Sequence, residues 1–262
     1  MKRKNMRDFW NAADKVIDQS DVLLEVVDAR MPYMTRNRNV EGRITRNGKS
    51  FILVLNKADL ITKHMRDDLV KRAMSKKMVF VSSKKRTGIA ELKRMIFAIA
   101  GKRRYAGRIS VGVVGYPNTG KSSVINALTG RSAAKVSPVV GVTRGVQWIS
   151  GGEDIMFLDT PGVVPPDNKD ESEKAMMSVI DPEKLEDPEL AARKIIQLFL
   201  NNDRHGLERF YGVAAATDDA LEIILQIGEK KKFLSKGGKV DIARASLRVI
   251  MDWQRGHLLL SL

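Results

Sequence analysis

Residues 115–123 read Gly-Tyr-Pro-Asn-Thr-Gly-Lys-Ser-Ser. The spacing is G-x-x-x-x-G-K-S, and each position has a chemical reason. Gly115 and Gly120 let the backbone wrap a chain of phosphates with its N–H groups turned inward. A helix that starts after Gly120 would point its positive end at that anion. Lys121 can reach the outer phosphates, and the Ser122 hydroxyl can bind Mg²⁺. Pro117, Asn118, Thr119 and Ser123 complete the stretch assigned to the nucleotide.

A phosphate loop implies a nucleoside triphosphate without saying which. Asn56-Lys57-Ala58-Asp59 addresses the base. A carboxylate set against guanine accepts from both N1–H and the exocyclic amine. Adenine lacks that pair of donors, so a buried Asp59 facing it would stay unpaired, and unpaired buried groups give large discrimination. Asn56 is expected to fix the loop and contact the base, and the Lys57 stem to cover the base's face. A third piece is Asp159-Thr160-Pro161-Gly162. Asp159 is expected to reach Mg²⁺ through a water, and the Gly162 N–H to meet the γ-phosphate. Thr143, in Gly141-Val142-Thr143, is the candidate switch-loop hydroxyl for metal and phosphate, with Thr129 and Ser137 nearby. Lys121, Thr143 and Gly162 are thus the residues expected to act on the transferred phosphate.

These loops need strands to carry them. Val22–Val27, the nearly all-apolar Phe51–Leu55, Met78–Val81 and Ile109–Val114 read as buried parallel strands. Val146–Ile149 and Ile155–Leu158 read as a hairpin around Gly151-Gly152. Amphipathic helices are expected over 8–19, 37–46, 64–75 and 88–100, with Pro32 marking a loop. Alternating strands and helices to about residue 165 predict an α/β, doubly wound, mostly parallel sheet. Ligands bind at the carboxyl ends of such strands. Beyond Pro165-Pro166 only helical patterns remain, over 182–200, 206–212, 218–227 and 240–254. A nucleotide domain over 1–166 and a small all-helical domain over 167–262 are therefore expected. Asp187-Pro188 reads as a helix cap with proline at the first position.

Composition narrows the class. With 46 Lys and Arg against 31 Asp and Glu, the net charge of +15 points to a polyanionic partner, nucleic acid before membrane. Basic groups cluster at Lys230, Lys231 and Lys232, continue at Lys236 and Lys239, and recur at Arg244, Arg248 and Arg255 near one helical face. Cysteine is absent, which excludes disulfides and thiolate metal sites, and three histidines remain. No apolar run reaches the roughly 18 residues of a membrane span, and no signal-peptide core follows the basic N-terminus. A soluble, cytoplasmic, monomeric protein is expected.

Motif order is the most specific observation. In a Ras-like GTPase the phosphate loop comes first, and the base loops follow the switch motifs. Here Asn56–Asp59 and Ser82-Ser83-Lys84, the latter standing for the final base-contacting loop, precede it. The chain resembles the circularly permuted GTPases of the YlqF/RbgA ribosome-assembly family. Asp28-Ala29-Arg30-Met31-Pro32 matches that family's D-A-R-x-P, and 115–123 its phosphate loop. The stretch from Lys236 to Ala245 is similar to the entry of its C-terminal helix.

The resemblance implies a GTP-hydrolysing switch in assembly of the large ribosomal subunit, with the C-terminal domain on ribosomal RNA. It implies that Asn118 helps a bound K⁺ supply charge against the phosphates, which makes Asn118 a catalytic candidate. Two departures stand out. The glutamine that orients water in many Ras-like proteins is Val163 here, and the N-terminal histidine of bacterial relatives has no counterpart, since the first is His64. Rival readings are a guanine-nucleotide-binding RNA scaffold with negligible turnover, a GTPase of another RNA pathway, and an ATP-using P-loop enzyme, the last disfavoured by Asp59.

Overall fold

The computed structural model describes residues 2–72, 75–101, 107–130, 147–159 and 170–260. The chain opens with helix α1 (Lys2–Gln19), strand β1 (Val22–Asp28), the one-turn helix α2 (Pro32–Thr35) and α3 (Arg38–Arg46). Asn37 caps α3, its side chain accepting from the Asn39 and Val40 N–H groups. Then come β2 (Phe51–Asn56), α4 (Lys63–Lys71), β3 (Met78–Phe80), α5 (Ile89–Ala100) and β4 (Ile109–Val114). After the phosphate loop follow α6 (Lys121–Thr129) and the strands β5 (Gln147–Ser150) and β6 (Ile155–Asp159).

The sheet runs β3-β2-β1-β4-β6-β5. All neighbours are parallel except β5, which returns antiparallel to β6 as the hairpin pattern predicted. The order reverses between β1 and β4, which makes a crevice at the carboxyl ends of those two strands. Every residue of β1 is buried because helices cover both faces. Leu92 and Ile96 of α5 and Val124 and Ile125 of α6 close one face over Val22, Leu24 and Val26. Val16 and Ile17 of α1 and Val40 and Ile44 of α3 close the other over Leu23 and Leu158.

The chain divides into two compact units, Met1–Asp59 with Leu69–Asp167, and Leu60–Asp68 with Asn168–Leu262. The short stretch Leu60–Asp68, which the sequence reading places with the nucleotide domain, thus groups with the helices. In that unit Gly256 turns with φ +69, and a Cβ there would lie 3.0 Å from Leu60 Cδ1.

The second unit contains α7 (Glu171–Met176), α8 (Pro188–Asn202), α9 (Arg204–Tyr211), α10 (Ala220–Lys230) and α11 (Ile242–Arg255). Its core forms where α8 meets α11. Trp253 is fully buried, lies edge-on to Phe199 at 6.0 Å, and donates its indole N–H to Met176 O at 2.9 Å. Burial of one such aromatic contributes about 3 kcal/mol, and the paired indole N–H removes the cost of hiding a polar group.

Two local expectations need correction. Pro32 starts a helical turn rather than a plain loop, because its fixed φ suits the first helical position. The run 182–200 is not one helix. A 3-10 turn spans Pro182–Lys184, and α8 starts at Pro188, where the Asp187 carboxylate accepts from Leu190 N at 3.1 Å.

Candidate nucleotide site

The phosphate loop and the two base loops that the sequence singles out meet at the carboxyl edge of the sheet. β4 delivers Gly115, whose φ of +146 allows an approach no side chain would permit: a Cβ there would lie 2.3 Å from Val26 O. Asn118 also holds a left-handed conformation, at φ +58. Gly120 ends the loop at φ +93 and caps α6 without a side-chain bond, so its first-turn N–H groups face the loop uncapped.

Lys121 is buried inside this loop. Its ammonium donates to Gly115 O at 3.1 Å and Tyr116 O at 2.9 Å. Burial brings its pKa down to about 8, against the pull of Asp159. A cation held by carbonyls is poised to take a phosphate as its stronger partner. Thr119 is buried and donates its hydroxyl to Tyr116 O at 3.0 Å, which closes the loop on itself. Pro117 is buried, while Asn118, Ser122 and Ser123 are half-buried.

Ser122 and Asp159 converge. The Ser122 hydroxyl donates to Asp159 Oδ2 at 3.1 Å, across from α6 to the end of β6. A hydroxyl beside a carboxylate is a hard-oxygen donor set of the kind Mg²⁺ takes, so the residues present fit that ion. Thr143, Gly162 and Val163 lie outside the described residues, as do Thr160 and Pro161.

The base side is held from several directions. Asn56 is buried at the end of β2. Its amide nitrogen donates to Thr119 O at 2.8 Å, and its amide oxygen accepts from Ser83 N at 3.2 Å. One side chain therefore ties the phosphate loop to both base loops. Asp59 Oδ1 accepts from the Ser82 hydroxyl at 2.6 Å, and Ser82 Oγ accepts from Lys85 N at 3.0 Å. Ser82 is fully buried, Ser83 half-buried and Lys84 exposed. Gly88, at φ +75, lets the loop turn back where a Cβ would meet Phe80 O at 2.0 Å.

Lys57 takes a position that sequence reasoning did not anticipate. Its ammonium donates to Asp28 Oδ2 at 2.7 Å. Asp28 also holds Arg30, with Nη2 to Oδ2 at 2.7 Å and Nε to Oδ1 at 3.0 Å. Burial would raise the Asp28 pKa, but the two cations overcome it and hold the carboxyl well below the usual carboxylate range. Burial lowers the Lys57 pKa while Asp28 opposes that shift. The D-A-R segment was visible as a motif. Its partner was not, because nothing in the spacing reports that β1 and β2 end level.

The basic residues of the second unit stand differently. Lys230, Lys231 and Lys232 are exposed at the end of α10, and Lys236 and Lys239 are exposed on the tight loop bridged by Leu234 and Val240. Arg244 lies over the Phe233 ring at 4.6 Å. Arg248 Nε donates to the buried Asp252 at 2.7 Å.

A permuted parallel sheet with a phosphate loop, two further loops and a hydroxyl–carboxylate pair at one edge is the arrangement of a circularly permuted P-loop fold. Comparison with known proteins agrees. Residues 110–229 match the family described as 50S ribosome-binding GTPase. An uncharacterized GTP-binding protein of Methanocaldococcus jannaschii is 41% identical over 248 residues, covering 94% of this chain and 64% of that one. Nucleolar GTP-binding protein 2 of Pneumocystis carinii is 35% identical over 260 residues, covering 95% of this chain and 52% of its own length. The chain thus spans between about half and two thirds of these curated relatives. Crystalline GNP-bound YlqF from T. maritima shares the fold, with a TM-score of 0.62 and 23% identity over 97% of this chain and 94% of that one. The chain has the fold of YlqF, a circularly permuted GTPase, and is similar in sequence to GTP-binding proteins. Among the described residues no helix is long and apolar enough to cross a membrane.

Proposed function

We propose that this chain hydrolyses GTP to GDP and phosphate and serves as a nucleotide-dependent switch in assembly of the large ribosomal subunit. The observation that carries the reading is the Asn56 side chain, which joins the phosphate loop at Thr119 to the loops holding Asp59 and Ser83. A site so tied reads phosphates and base together. Asp59, oriented by Ser82, selects guanine through its two facing donors. The backbone N–H groups around Gly120 and the Lys121 ammonium take the phosphates, and Lys121 draws charge from the outer ones as it develops. Ser122 and Asp159, with Thr143, would hold Mg²⁺. When bound, that ion neutralises charge on the phosphate oxygens. Gly162 is assigned the γ-phosphate through its backbone N–H. Asn118, with its amide oxygen in the phosphate loop, fits a K⁺ ligand.

The helical unit is the RNA-binding part of this reading. Lys230, Lys231, Lys232, Lys236 and Lys239 present exposed ammonium groups from one helix end and the loop that follows, as contacts to a phosphate backbone require. Arg244 and Arg248 flank them. The family description of ribosome binding supports ribosomal RNA as the polyanion. The reading takes the protein as a cytoplasmic monomer.

The test is phosphate release in KCl and in matched NaCl, with purified large subunits and with small subunits as the control. Turnover stimulated by large subunits alone supports the switch. Equal rates in the two salts remove K⁺ from the reading. GTP binding without multiple turnover under any condition selects instead the scaffold reading, which the valine at position 163 favours.

A further inference from the structure

Asp28 lies outside every loop assigned to the nucleotide, yet it is the partner of one of them. In the β1–β2 register it stands level with Asn56, one residue before Lys57. Ala29 N donates to Asn56 O at 2.8 Å, so the D-A-R segment and the base loop leave the sheet side by side. Lys57 sits at φ +62, a left-handed conformation that a lysine adopts only when its surroundings impose it. The bond from its ammonium to Asp28 is the restraint on its far end.

Pairing within the D-A-R segment already satisfies the carboxylate. Arg30 gives Asp28 a bidentate guanidinium and a backbone N–H, with N to Oδ1 at 3.0 Å. Thr35 supports the turn, its hydroxyl oxygen accepting from Asp28 N at 3.0 Å. A second cation is not needed to neutralise one carboxylate. Meanwhile Lys57 keeps 21% of its side chain exposed, so its stem is both fixed and accessible. A free lysine stem loses rotamer freedom when it packs against a ligand, and holding it beforehand removes that cost from binding.

We infer that Asp28 is a positioning residue of the nucleotide site, clamping the Lys57 ammonium so that the Lys57 stem is preset to lie against the purine face of a guanine nucleotide. Arg30 holds the clamp in place. The inference rests on the guanine-nucleotide reading above.

The test is a double-mutant cycle on the full chain with Asp28→Asn and Lys57→Met, titrated with fluorescent methylanthraniloyl-GDP, with thermal unfolding of each nucleotide-free protein measured separately. Each single variant is expected to weaken GDP binding about tenfold, mainly through faster release. The double variant is expected to match the singles, because both remove one contact. Losses that multiply, or an unchanged affinity in Asp28→Asn, overturn the inference. If Asp28→Asn does not fold, Lys57 decides, since Arg30 keeps Asp28 paired in its variants. Lys57→Arg retains the ion pair and is expected to bind GDP nearly as wild type does, while Lys57→Met loses about tenfold. Equal affinity in Lys57→Met and wild type, or equal loss in both variants, overturns it. Failure of the wild type to bind GDP at all refutes the nucleotide reading and the inference with it, an outcome distinct from wild-type binding that the variants leave unchanged.

Discussion

The nucleotide edge of the sheet and the basic end of the helical unit both use charged side chains, but in opposite ways. At the sheet edge Asp28, Arg30, Asn56 and Lys121 are buried, and each is bonded to a named partner before any ligand arrives. In the helical unit Lys230, Lys231, Lys232, Lys236 and Lys239 are exposed, and none of them forms an ion pair among the described residues. Buried, partnered groups have fixed positions, and fixed positions discriminate between ligands that differ by one donor. Exposed ammonium groups on long stems adapt to a phosphate backbone and read charge density, and salt screens them. In the proposed function, specificity thus belongs to the first region and long-range attraction to the second.

The comparison breaks most visibly at Asp59. Asp59→Asn should lower the preference for GTP over ATP by about four orders of magnitude, since adenine then no longer leaves a carboxylate without its two donors. A competition titration with the two nucleotides reads this, and an unchanged preference would remove Asp59 from base selection. Lys121→Ala should cost about a thousandfold in single-turnover hydrolysis, the scale of losing one preorganised group that stabilises developing charge. Replacing Lys230, Lys231 and Lys232 together by alanine should weaken RNA binding and reduce the slope of log affinity against log salt by about two, while GDP affinity stays unchanged. A loss of RNA affinity with the same salt slope would show that these lysines do not meet phosphates.

Arg248→Ala sharpens the contrast within the helical unit. Its bond to Asp252 leaves a buried carboxylate with weaker partners when removed, so the expected loss is about 1 kcal/mol of stability, with less effect on RNA than the triple lysine variant.

Lys121 supplies a pH test of the buried region. Its folded pKa near 8 lies below the ordinary lysine value because burial penalises the charge. Between the folded and unfolded values the unfolded chain binds more protons, so this group makes the nucleotide-free protein more stable as pH rises through that window. Phosphates restore the charge. GDP binding should therefore take up protons at pH 8.5 and almost none at pH 7, measured by calorimetry in buffers of different ionisation heat. Uptake that is the same at both pH values would contradict a depressed Lys121.

Residues 115–123 and the strand before them were legible because wrapping a phosphate chain needs contiguous residues. Local spacing therefore carries the whole requirement. The buried strands were legible for the same kind of reason, since a parallel sheet covered on both faces demands unbroken apolar runs such as Phe51–Leu55. The helical run over 182–200 starts later than its outer limit, at the Asp187-Pro188 cap that the sequence itself displays.

By itself, the order of motifs along the chain determined that the fold is permuted, and the residue type at Asp59 carries the proposal of guanine. Only the tertiary structure decided which side chains hold which. Asp28 meets Lys57 across 29 positions of sequence, and Asn56 meets Thr119 across 63. Those pairings follow from the register of β1 against β2 and from the crossing of β1 between β2 and β4. Register is set by the packing of whole faces against helices, and that information is distributed over the core rather than written at either partner.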